Sequence, residues 1–96
     1  MILMAIKHQV ADYDQWKKVF DTFPPIAGGA LFHRVNRATD DPNTVLIVAG
    51  FKSTDDALAF QNNSELKSKM QSAGVIGAPR FEIYEELETA EATANA

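Results

Sequence analysis

An α+β fold, with four antiparallel strands covered on one face by two helices, is what this sequence predicts, and three features predict it. The run Ile2-Leu3-Met4-Ala5-Ile6 is apolar without alternation, so a strand made from it needs cover on both faces. The stretch 44–51, centred on Val45-Leu46-Ile47-Val48, has the same character. Two capped helical segments separate these strands from two others, giving the order strand, helix, strand, strand, helix, strand.

The first strand is predicted over residues 2–10, turning polar at its exit, Lys7-His8-Gln9. Asp12-Tyr13-Asp14-Gln15 is a capping box: the Asp12 carboxylate can accept the amide three residues on while Gln15 reaches back. The helix therefore starts at Tyr13. Its stripe of Tyr13, Trp16, Val19, Phe20 and Phe23 is heavily aromatic, and Pro24-Pro25 ends it, because neither proline can donate an amide and the second bars a helical first. Gly28-Gly29 permits a reversal into a second strand over residues 30–38, with Leu31, His33, Val35 and Arg37 on one face and Phe32, Arg34 and Asn36 on the other. A turn at residues 39–43 leads into the third strand, 44–51, completing a hairpin.

Ser53 caps the next helix, with Asp56 three residues later and acidic charge in the first turn. Asn62-Asn63 interrupts that helix and predicts a kink or a fresh cap at Asn63, after which Leu66, Met70 and Ala73 recur at helical spacing before Gly74 stops it. Residues 75–79 read as a loop, and residues 80–87 alternate as a half-exposed fourth strand. One domain, 1–87, is expected, followed by an acidic, alanine-rich tail, 88–96, with too little apolar surface to fold.

This element order is the ferredoxin-like βαββαβ arrangement. Its sheet order, fourth, first, third, second, puts both doubly apolar strands in the centre. Helices on one face leave the other bare, and an apolar patch of that size calls for a partner. A second copy packed sheet to sheet gives a dimeric α+β barrel, so a homodimer is expected.

Composition removes several function classes. At 96 residues, 46% hydrophobic and 23% charged, the chain is an ordinary globular domain small enough to gain from oligomerisation. A net charge of -4 offers no basic face for nucleic acid. The absence of cysteine excludes disulfides and thiolate metal sites. No run suits a membrane span, and the apolar start lacks the basic leader and cleavage site of a signal peptide, so a cytoplasmic protein without membrane contact is expected. No phosphate loop, nucleophile elbow or zinc motif occurs, and neither cofactor nor metal is expected.

The lysine-histidine strand exit followed by Val10-Ala11-Asp12-Tyr13-Asp14-Gln15-Trp16-Lys17, the hairpin around Asp41-Pro42-Asn43 and the Ala73-Gly74-Val75 helix exit carry a resemblance. Over residues 2–87 the chain resembles the dimeric α+β barrel superfamily, which includes the small cofactor-independent monooxygenases of antibiotic biosynthesis and polyketide-cyclase-like proteins. In the monooxygenases a cleft between sheet and helices binds a phenolic polycycle through asparagine, tryptophan, tyrosine, arginine and histidine. Those residue types recur here as Asn36, Trp16, Tyr13, Arg34 and His8. The haem-degrading members carry an asparagine on the first strand and a histidine on the second helix, and this chain has neither. The resemblance implies a cofactor-independent monooxygenase or cyclase acting on a hydrophobic, aromatic or polyketide-like molecule; the alternative is a non-catalytic ligand-binding or interaction module.

Among the candidate site residues, His8 reads as a base for a phenol or enol proton, or as a strand-end histidine bonded to its neighbour or water. Antiparallel pairing of the first and fourth strands is expected to bring it near Arg80 and Glu82, where Arg80 would stabilise an anion or simply pair with an acid. Tyr13, Trp16, Phe20 and Leu58 line the expected cleft or pack it shut. His33, counted with the substrate-binding residues, is expected opposite Gly50, two strands and at least ~9 Å from His8, too far for a shared metal.

Overall fold

The computed structural model describes residues 1–92. Its strands are β1 (Ile2–Val10), β2 (Phe32–Ala38), β3 (Asp41–Phe51) and β4 (Val75–Glu85), and its helices α1 (Tyr13–Phe20), α2 (Thr54–Gln61) and α3 (Ser64–Ser72). They form one antiparallel sheet in the order β2-β3-β1-β4, so the two doubly apolar strands are central as expected. The ferredoxin-like α+β arrangement is therefore present.

The caps act where the sequence places them. Asp12 accepts the Gln15 amide at 3.3 Å and Ser53 the Asp56 amide at 3.1 Å. At the Asn62-Asn63 break the side chain of Asn63 accepts the amides of Glu65 and Leu66, so the second predicted helix is two helices with separate starts. Gly74 takes the left-handed conformation, φ 77°, that closes α3.

Five boundaries differ from expectation. Helix α1 ends at Phe20, because the amides of Thr22 and Phe23 turn back to Val19 and Phe20 in tighter bonds; a 3-10 turn, Pro25–Gly28, follows. The second strand begins at Phe32, two residues later than predicted. The hairpin turn is only Thr39-Asp40, since the Asp41 carboxylate binds the Asn43 amide and the Thr44 hydroxyl and carries β3 back to Asp41. Residues 75–79, expected as a loop, are the first part of β4: Val75 pairs with Val10 and Ile76 with Gln9. Gly77, at φ 73°, breaks the alternation there and hid the strand. At its other end β4 stops at Glu85, and residues 86–92 have no helix or strand; the rest of the predicted tail, 93–96, lies outside the described residues.

Register divides the sheet into two faces. Met4, Ile6 and Val10 of β1 and Val45, Ile47, Ala49 and Phe51 of β3 are buried toward the helices, against Trp16, Ala57, Phe60, Leu66 and Ala73. Each large side chain buried there contributes about 1.5–3 kcal/mol. The other face carries Leu3, Ala5, Phe32, Leu46, Val48 and Tyr84 without helical cover.

Candidate functional site

His8 is set apart by a break in the sheet. Lys7 faces Arg80 on β4, but Gln9 faces Ile76, so β4 uses two more residues than β1 over that span and His8 sits opposite a bulge. Bulges re-aim side chains and leave ladder positions open. On the other side His8 pairs with Val45, and its ring points with Ile6 and Val10 into the layer between sheet and helices. The residue is 5% exposed. Neither ring nitrogen has a hydrogen-bond partner among the described residues. Burial pushes its pKa down from 6.5 to about 4, so the imidazole is neutral at neutral pH and presents one donor and one acceptor.

The ring borders a cavity of about 30 Å³, enough for a water molecule, inside a partly open depression of about 380 Å³. Ile6, His8 and Ile47 form its floor on the sheet, with Trp16, Val19 and Phe20 of α1 on one wall. Phe60 of α2 and Leu66, Lys69 and Met70 of α3 supply the other. Trp16, 2% exposed, lies with its ring centroid 5.5 Å from that of His8. Phe20 stacks on Trp16 at 4.8 Å and meets the edge of His33 at 5.5 Å, while Tyr13 sits 5.7 Å from Trp16 and carries the Arg37 guanidinium on its ring at 4.9 Å. An aromatic row therefore runs along α1 from His8 to His33.

Of the residues singled out in the sequence, the structure brings His8, Trp16 and Phe20 to one cavity, with Tyr13 and His33 flanking the row. Leu58 does not line the cavity and is 40% exposed. Arg80 makes no hydrogen bond or ion pair with His8 among the described residues, although both border an open depression at the exit of β1. Antiparallel pairing puts Arg80 on the face of Lys7, and successive residues of a strand point to opposite faces, so its side chain leaves the sheet on the face opposite the imidazole. It pairs instead with Glu82 at 3.2 Å, its side chain 73% exposed. His33 pairs with Ala49 and not with Gly50; Gly50 lies under the Phe32 ring, which occupies the space a side chain there would need. Arg34 and Asn36 also lie on the uncovered face, Arg34 over Phe32 at 4.5 Å and Asn36 donating to the Leu46 carbonyl.

Lys69 is the site residue the sequence reading passed over. Leu66, Lys69, Met70 and Ala73 share one helical stripe, so a lysine occupying an apolar position was the available signal.

No known family model and no curated protein sequence matches the chain. Solved structures do. A provisionally assigned antibiotic biosynthesis monooxygenase from Deinococcus radiodurans superposes with a TM-score of 0.75 at 11% identity, over 98% of this chain and 100% of that one. SnoaB, a cofactor-independent oxygenase from Streptomyces nogalater, matches with a TM-score of 0.73 at 13% identity, over 92% and 94%. A provisionally assigned antibiotic biosynthesis monooxygenase from Caulobacter crescentus gives 0.72 at 18% identity, over 91% and 90%. The chain thus shares the fold of these antibiotic biosynthesis monooxygenase-like structures.

Proposed function

We propose that the protein is a homodimeric, cofactor-independent enzyme of the monooxygenase or cyclase type, with one small-molecule site per protomer at the His8 cavity. A neutral, buried imidazole with both nitrogens unpartnered, at a strand bulge and on a cavity wall, carries this reading. A structural histidine at a strand end would have its nitrogens bonded to protein or facing solvent.

His8 is unprotonated at neutral pH and can accept a phenol, enol or α-carbon proton. Its depressed pKa makes it a weak base toward a free substrate. The proton transfer becomes favourable when the anion it creates stays against the imidazolium, because the pair buries no net charge. In the oxygenase form dioxygen then takes electrons from the substrate carbanion; one oxygen atom remains as a new carbonyl and the other leaves as water. In the cyclase form the carbanion attacks a carbonyl of the same molecule. Trp16 and Phe20 supply the flat apolar surface against which the substrate packs. The uncovered sheet face, with Leu3, Ala5, Leu46 and Val48, supports sheet-to-sheet pairing with a second copy.

A second reading, a non-catalytic module with the cleft closed, is favoured by the cavity's volume of about 30 Å³, which admits no organic substrate until Met70 and its neighbours move. Ligand-observed NMR with single-ring phenols and enolisable ketones, with oxygen uptake followed for every binder, separates the two. The enzyme reading expects binders that His8→Leu loses, and oxygen uptake or ring closure with at least one of them; binding without turnover leaves the module. Sedimentation at micromolar concentration checks the dimer, and a stable monomer there refutes it.

A further inference from the structure

With Arg80 on the far face of the sheet, the positive charge available to the His8 cavity comes from elsewhere. Lys69, in the last turns of α3, is the cation that lines it. No aspartate or glutamate does so among the described residues, nor does Lys69 make an ion pair with any of them. Apart from His8, the other residues lining the cavity are apolar, Leu66, Met70, Trp16 and Phe20 among them. Lys69 is half-buried, and a cation at the edge of an apolar cavity interacts more strongly with an opposite charge than one in bulk water, because the local dielectric is lower.

We propose that Lys69 is a specificity-determining residue of this cleft, supplying the counter-charge that selects a weak organic acid, its ionised oxygen held by Lys69 and its carbon skeleton packed on Trp16 and Phe20. The inference rests on the His8 cavity being a small-molecule site. The two polar groups divide the work. His8 meets the oxygen-bearing end of the ligand as a neutral donor and acceptor before proton transfer, and Lys69 shares with the imidazolium the stabilisation of the charge that ionisation creates. A lysine suits this role since its ammonium sits on a flexible four-carbon stem with three donors, and can follow a ligand in a cleft that must open. Lys69 also lies in the last turn of α3, where the helix macrodipole favours a cation.

The probes are 4-nitrophenol at a pH where it is ionised, and 4-nitroanisole, a neutral molecule of nearly the same shape. Binding is followed by quenching of Trp16, the only tryptophan. Replacing Lys69 by methionine keeps the stem and removes the charge; Lys69→Arg keeps the charge. Nitrophenolate affinity is expected to fall about tenfold or more in Lys69→Met, to persist in Lys69→Arg, and nitroanisole affinity to stay unchanged in both. Equal loss of both probes in Lys69→Met, or loss of neither, overturns the role of Lys69 and leaves the cavity as a binding site. If neither probe quenches Trp16 in the parent protein, the cavity itself is not a small-molecule site and both readings fall.

Discussion

Replacing His8 by leucine should change how stability depends on pH, and the structure sets the size of the change. The imidazole has a pKa of about 4 in the folded chain against 6.5 unperturbed, because burial disfavours its charged form. Below pH 6.5 the unfolded chain therefore takes up a proton that the folded one refuses. The folded state loses stability as pH falls through this interval, and the loss is complete below pH 4. The difference between the two pKa values corresponds to about 3 kcal/mol, or about 2 kcal/mol if solvent reaching the ring through the open depression screens it. Leucine does not titrate. Urea unfolding followed by Trp16 fluorescence, at one protomer concentration and at pH values from 7.5 down to 4, gives the stability of both proteins. The contributions of the carboxylates, present in both, cancel in the difference. His8→Leu should match or exceed the parent at pH 7.5, since it removes two buried nitrogens without protein partners, and should gain a further 2 to 3 kcal/mol on it by pH 4. A stability difference that stays flat across the interval would mean that His8 titrates like an exposed histidine, and the buried neutral imidazole on which the proposed chemistry depends would be refuted.

Two further outcomes test the geometry around the site. Arg80→Ala removes an exposed ion pair with Glu82 and should change stability by less than about 1 kcal/mol. It should also leave probe binding at the His8 cavity untouched, and a change in affinity beyond about twofold would show that Arg80 reaches the site. Asn63→Ala removes the side chain that accepts the Glu65 and Leu66 amides, and should cost about 1 kcal/mol in urea unfolding. Because α3 carries Leu66, Lys69 and Met70 into the cavity, this variant should weaken probe binding as well; unchanged binding would mean that α3 is placed by packing alone.

Much of the architecture was written locally. The capping residues Asp12, Ser53 and Asn63 each act on the next three residues, and apolar runs without alternation imply two covered faces wherever they sit. Strand order followed from these, because only the central positions of the sheet suit Ile2–Val10 and the apolar heart of β3. The aromatic members of the site, Trp16 and Phe20, were legible for the same reason: a helix stripe must face the sheet.

Register was not local, and the sequence by itself did not decide it. A shift of one residue moves a strand's side chains to the opposite face, and the bulge opposite His8 depends on how Gly77 bends β4 against β1. Periodicity cannot express that, so Arg80 was expected beside an imidazole from which the sheet separates it. Lys69 was lost by the same route in reverse: its place in an apolar stripe was visible, but only the packing of α3 over the sheet turns that place into a cavity wall. The sequence determined which elements form and which faces need cover, since those follow from backbone chemistry and periodicity within a few residues. The tertiary structure decided which ionisable groups share a site, because that depends on how distant strands and helices register against one another.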